Sequence, residues 1–284
     1  MALSTQIRVS LNRALAPFNL RLDTLTAERA EADRLAKLDA GGQFARAAFP
    51  VLSAFGECHP ELILSMVGRF RDMTDTFSVF REDRYSFRND YFTSPDAEVA
   101  YALVRELGPR RIVEVGSGNS TRLFRQAIED GGLPTELVSI DPFPRKSVKT
   151  IADRVLTSKL EDVPMSELLD LRENDVLFID SSHEVRTGND VVCLFLNVLP
   201  QLAKGVVVHV HDIFLPYEYP RRWIVESRWP WNEQYLVHAM LQGSNMFQVL
   251  WAGQFFQRTL PGFSSHFEAS SQGAASSLWL RKCI

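Results

Sequence analysis

Three stretches of this 284-residue chain carry side chains whose types and spacing can do chemistry. The first is Glu114-Val115-Gly116-Ser117-Gly118-Asn119-Ser120-Thr121, which joins an apolar run to a patterned helix. Gly116 permits a tight turn there, and Gly118 lets a ligand approach the backbone closely. Ser120 or Asn119 can cap the following helix, whose free N–H groups would face an anionic group. A dinucleotide site would want a third glycine at position 121, where Thr121 stands. The second stretch is Ile140-Asp141-Pro142, which places an acid where a ribose hydroxyl pair would be held. The third group is split between Phe178–His183 and His209–Pro216. His209 lies inside a valine run and reads as a core histidine. His183 and His211 stand at strand mouths, where a histidine can take a proton near neutral pH.

These residues need elements to hold them, and the patterning supplies alternating strands and helices. Ser94 reads as a cap, Pro95 suits a first helical turn, and Asp96 and Glu98 complement the helix dipole. Val99, Leu103, Val104 and Leu107 recur at helical spacing up to Gly108-Pro109. Strands are expected at 111–115, 137–140, 154–156, 175–179 and 205–210, with a late pair at one edge over 247–251 and 278–280. Helical faces between them carry Leu123, Phe124, Ala127 and Ile128, then Val191, Val192, Leu194, Phe195, Val198 and Leu199. The alternation implies an α/β fold with a parallel sheet covered on both sides. Ligands then sit outside the carboxyl ends of the strands, which is where the chemistry-bearing residues fall.

Residues 1–93 read as an N-terminal helical cap, and 94–284 as the ligand-binding domain. Within the cap, Asp23 to Asp39 forms a helix stopped by Gly41-Gly42, and 69–92 forms a linker, lid or irregular cap. The opening segment reads as a packed or frayed terminal helix without a signal peptide. A net charge of -4 argues against a nucleic-acid partner. No apolar run is long enough for a membrane span. Cys58, Cys193 and Cys283 lack metal-type spacing and read as reduced thiols in a cytoplasmic protein.

Taken in order, E-V-G-S-G-N-S-T, I-D-P, F-I-D-S-S-H and H-D-I-F-L-P make the chain resemble the class I S-adenosylmethionine (SAM)-dependent methyltransferases, in particular a bacterial branch with these motifs. The resemblance covers roughly residues 85–255. It implies a Rossmann-like, doubly wound, mostly parallel sheet, with SAM as methyl donor. By resemblance the loop of Glu114, Gly116, Ser117, Gly118, Ser120 and Thr121 holds the methionine portion. Asp141 with Pro142 takes the ribose, Glu161 and Asp162 flank the adenine, and Asp180 and Ser181 touch the cofactor. His183, His211 and Asp212 form the catalytic set, with one of the histidines as base. The implied reaction is O-methylation of a small-molecule or saccharide hydroxyl, with N-methylation as a variant. Related families bind Mg²⁺ through acids at comparable strand ends, and Asp180 and Asp212 would serve; here the fifth strand ends His-Asp instead. A cephalosporin-hydroxylase-like enzyme and a non-catalytic SAM-binding scaffold are the rival readings on this fold. The aromatic, arginine-rich segment from Phe214 to Trp231 would overhang the crevice as an acceptor wall.

Overall fold

The computed structural model describes residues 5–22, 24–80, 84–145, 147–267 and 273–284. The three longer helices of the N-terminal region are α1 (Thr5–Leu15), α2 (Thr26–Ala40) and α3 (Pro60–Arg69). The expected start of the second helix, Asp23, lies outside the described residues, as do Met1–Ser4 and 81–83 of the predicted cap. Ile7, Val9 and Leu11 of α1 are exposed, so this helix rides on the surface. The stretch after α3 does more than link. Phe77, Tyr85, Phe87 and Phe92 are buried, and they join the same hydrophobic core as the sheet.

Helix α4 (Asp96–Leu107) starts the alternating part. Its entry differs from the sequence reading. The Ser94 hydroxyl does not cap it but donates to Glu98 Oε1 at 2.6 Å. Asp96 accepts from the backbone N–H groups of Ser276 (2.8 Å) and Ser277 (3.2 Å). Both acids stand in the first turn, as expected, and both are buried; a buried carboxylate must find donors, which Asp96 takes from across the fold and Glu98 from Ser94.

The strands are β1 (Arg111–Val115), β2 (Glu136–Ile140), β3 (Arg154–Leu156), β4 (Val176–Ile179), β5 (Val207–Val210), β6 (Phe247–Ala252) and β7 (Leu278–Lys282). They form one sheet in the order β3-β2-β1-β4-β5-β7-β6. The first five pair in parallel, while β7 runs antiparallel between β5 and β6. Strands β1, β4 and β5 are buried along their whole length, which explains their richness in valine, isoleucine and leucine. Helix α5 (Asn119–Gly131) follows β1 and packs on α4. After β4 the helical rod Asp190–Cys193 and Leu199–Gln201 is interrupted by a π-helical stretch, Leu194–Val198. Helix α6 (Glu233–Gln242) precedes β6. Strand order reverses between β1 and β4, and this switch point opens the crevice described below. The fold is the expected doubly wound, mostly parallel α/β sheet with an N-terminal helical region. Among the described residues no helix is long and apolar enough to cross a membrane. The three cysteines are free thiols.

Candidate active site

The loop after β1 is fixed from behind before it can meet any ligand. Glu114 is fully buried, and its carboxylate accepts from Ser120 Oγ (2.5 Å), Thr121 Oγ1 (2.6 Å) and Ser139 Oγ (2.9 Å). Burial pushes its pKa up to about 7, against the pull of the three hydroxyls. Ser120 therefore does not cap α5 through its hydroxyl as expected. Instead Thr121 Oγ1 accepts the Gly118 N–H at 3.0 Å, closing the loop. Gly116 has φ of +83°, and a Cβ there would lie 1.9 Å from the Asp180 carbonyl oxygen. Only glycine brings the ends of β1 and β4 this close.

Asp141 joins the loop to the end of β2. One carboxylate oxygen accepts from Ser117 N (3.1 Å) and Ser117 Oγ (2.6 Å), and the other accepts from Phe143 N (2.7 Å). A cavity of about 360 Å³ lies beside these groups. Gly116, Asp141, Pro142, Glu161, Asp180 and Ser181, all named in the sequence reading, line it. Ser117, Gly118 and Ser120 line a smaller neighbouring cavity of about 120 Å³, which shares Asp180 with the first. Glu114, Thr121 and Asp162 line neither. The larger cavity also gains Asp190, which sequence reasoning missed; it accepts from Ser182 N (2.9 Å) and Oγ (2.6 Å). Its position just before an apolar helical face was the available signal.

Past Asp180 the crevice becomes a cluster of acids and imidazoles. Asp180, His183 and Asp212 place one ligand atom each within 4.8 Å of one another. His183 Nε2 lies 3.2 Å from Asp180 and 3.8 Å from Asp212, while Nδ1 bonds Glu233 Oε2 at 2.9 Å. Asn232 N and Glu233 N also donate to the His183 carbonyl, so the start of α6 grips this residue by backbone and side chain. His183 and Asp212 both have positive φ (58° and 55°), a conformation that surrounding structure must enforce. Glu233 was not legible in the sequence, because it lies 50 residues beyond its partner on a separate helix.

The electrostatics follow from this crowding. Burial opposes charge on His183, but the bonds to Asp180 and Glu233 prevail and hold its pKa well above the ordinary histidine value. Burial is likewise outweighed at His211, where Asp212, Asp180 and Asp96 favour the charged form. For Asp180, burial loses to the charges of His211 and His183, and its pKa is lowered. Burial wins at Glu233, whose pKa is raised. His211 Nε2 lies 3.8 Å from Asp212 Oδ1, and its buried Nδ1 has no hydrogen-bond partner. His209 behaves as the core residue expected. Its ring stacks on Phe178 at 4.0 Å, Nε2 pairs with Ser277 Oγ at 2.9 Å, and burial drives its pKa well below the usual value.

The segment after β5 supplies a wall. Trp231 covers the His183 ring at 4.2 Å, and Trp223, Trp229 and Trp231 pack against one another at 4.6–5.1 Å. Phe214 and Tyr219 are buried, while Trp223 and Trp231 are half-buried and Trp229 is exposed. Arg221 binds Asp39 of α2 at 2.7 Å and Glu226 at 2.6 Å, tying the wall to the N-terminal helices.

A search of curated proteins gives no match. Among solved structures, the chain is similar to the SAH-bound Podospora anserina methyltransferase PaMTH1, with 14% identity over 93% of this chain and 98% of that one and a TM-score of 0.42. It is also similar to an O-methyltransferase from Bacillus cereus in complex with SAH, at 14% identity, 78% and 91% coverage, and a TM-score of 0.39. Residues 113–213, which carry the glycine loop, Asp141, Asp180, both crevice histidines and Asp212, match the family model of a methyltransferase domain.

Proposed function

We propose that the protein is a SAM-dependent methyltransferase that methylates a hydroxyl of a small-molecule or saccharide acceptor. The observation that carries this reading is the cavity at the switch point, lined by Gly116, Asp141, Pro142, Glu161, Asp180 and Ser181. The residues fit the donor: the glycine loop leaves room where a Cβ would collide, and Asp141 offers carboxylate oxygens to a ribose diol. Ser117, Gly118 and Ser120 face the neighbouring recess, where the methionine portion would lie. Bound SAM supplies an electrophilic methyl group for in-line displacement. The chain then has to align the acceptor, exclude water and receive a proton.

The acceptor's proton has a destination in the Asp180–His183–Asp212 cluster once the His183 imidazole is neutral, which its raised pKa places at alkaline pH. Glu233 fixes the His183 ring so that Nε2 faces the two aspartates, the orienting role that a third group plays in a catalytic triad. Trp231 keeps bulk water off that ring. His211 and Asp212 complete the polar end of the crevice.

A second reading of the same cluster is favoured by its geometry. Two carboxylates and one imidazole within 4.8 Å suit a divalent cation, and Glu233 on the far nitrogen of His183 is the outer partner such a ligand usually has. The imidazole donor suits Mn²⁺, Fe²⁺ or Zn²⁺ better than Mg²⁺. A cation there would polarise the acceptor hydroxyl. Treatment with EDTA followed by each cation in turn separates the readings, since a cation-free enzyme keeps full activity.

The cofactor is tested by calorimetric titration of stripped protein with SAM and with NAD⁺, repeated on Asp141→Ala. Micromolar SAM binding, about -8 kcal/mol, with at least a tenfold loss in the variant and no NAD⁺ binding, is the expected result. Folded protein that ignores SAM would overturn the proposal.

A further inference from the structure

The turn that carries Asp141 also delivers an arginine to the smaller recess beside it. Asp141-Pro142-Phe143-Pro144-Arg145 leads out of β2, and each proline fixes a backbone angle. Asp141 accepts from Phe143 N at 2.7 Å, and the Arg145 carbonyl accepts from Val148 N at 3.0 Å, so both ends of the turn are tied. The exposed Arg145 side chain lies over the Tyr91 ring, 5.4 Å from its centroid. Tyr91 is anchored in turn. Asn89 Oδ1 accepts from Tyr91 N (3.1 Å) and Phe92 N (2.8 Å), and from Asn119 Nδ2 (3.1 Å) at the start of α5. Arg145 thus stands between two fastened segments, on the wall of the 120 Å³ cavity that it shares with Tyr91, Ser117, Gly118, Ser120 and Asp180.

The glycine loop on that wall has already engaged its side-chain donors within the protein. Ser117 N and Oγ both serve Asp141, Gly118 N serves Thr121 Oγ1, Ser120 Oγ serves Glu114, and Asn119 Nδ2 serves Asn89. These groups shape the recess, and an anion entering it has to be met by something else. Among the described residues that line it, Arg145 is the one cation and Asp180 the one acid. Walls of opposite charge suit a zwitterion, and a guanidinium fork matches a carboxylate bidentately. The larger cavity, with Asp141, takes the adenosine part of the donor, and the recess joined to it through Asp180 takes the amino acid end.

We infer that Arg145 binds the carboxylate of the donor's methionine portion and so makes the site select a cofactor with an amino acid end over simpler adenosine derivatives; this inference rests on the methyltransferase reading above. The probes are S-adenosylhomocysteine (SAH), decarboxylated SAH, which keeps the amine, and 5′-methylthioadenosine, which lacks both groups. All three are titrated calorimetrically into the full-length protein and its variants. Arg145→Gln weakens SAH about tenfold or more, while the other two ligands change by less than about twofold. Arg145→Lys, which keeps the charge without the fork, recovers part of the SAH affinity. Equal losses for all three ligands, or undiminished SAH binding as expected of an arginine that serves the acceptor, overturns the inference. A measurement on the wild type guards against a misfolded variant: phenylglyoxal modification mapped by mass spectrometry. SAH protects Arg145 and methylthioadenosine does not; no protection by SAH again overturns it. Wild-type protein that binds none of the three ligands strikes the methyltransferase reading itself, whereas wild-type protein that binds all three equally strikes this inference alone.

Discussion

Glu114 shows how a residue near a ligand can serve the ligand without touching it. Its carboxyl is buried under three hydroxyls and titrates near 7, above its unfolded value of 4.5. The sign follows directly. Below about pH 4.5 both states hold the proton, and as pH rises through 7 the folded state must give it up at a cost. Stability contributed by this group is thus lost across that window, by roughly 3 kcal/mol. Urea midpoints of wild type and Glu114→Gln should differ in pH slope between 5 and 7, with the variant the flatter; parallel slopes contradict the assignment. Asp96 gives a second prediction at this scale. Asp96→Ala leaves the Ser276 and Ser277 N–H groups buried without acceptors and should cost about 2–4 kcal/mol in denaturant unfolding. The sequence showed Glu114, Asp141 and Asp180 because each sits beside a glycine or at a strand end. It hid the partners Ser139 and Glu233, because a buried hydrogen bond between distant segments leaves no local pattern.

At the scale of elements, the loop after β1 and the aromatic wall make opposite predictions. Gly116→Ala drives a Cβ into the Asp180 carbonyl at a backbone angle that side chains resist. The loop must shift, so stability should fall by about 3 kcal/mol or more, with SAM affinity falling too. Arg221→Ala removes ion pairs to Asp39 and Glu226 that are largely exposed. Such pairs contribute less than about 1 kcal/mol, so the thermal midpoint should barely move; a large drop would mean the N-terminal helices depend on this link. All seven strands and the helices after β1 and β4 were legible from apolar runs and spacing, whereas α6, between β5 and β6, was not. Nor was the start of α4. Ser94 looks like a cap, but its hydroxyl is taken by Glu98 one turn on, while Asp96 is held by Ser276 from across the fold.

For the whole molecule, a ligand that binds the folded chain alone stabilises it by mass action. SAM at a hundred times its dissociation constant should add about 2.7 kcal/mol, raising the melting temperature by about 5–10 °C, and NAD⁺ should leave it unchanged. The same sheet carries a consequence for how the chain is made. Strand β7 sits between β5 and β6, although β6 is synthesised first. Until β7 leaves the ribosome, β6 has no neighbour and β5 presents an open edge of unpaired backbone. Between the emergence of β6 and that of β7 the nascent protein thus carries two sticky edges, and chaperone occupancy should peak after β6 emerges and fall once β7 slots in.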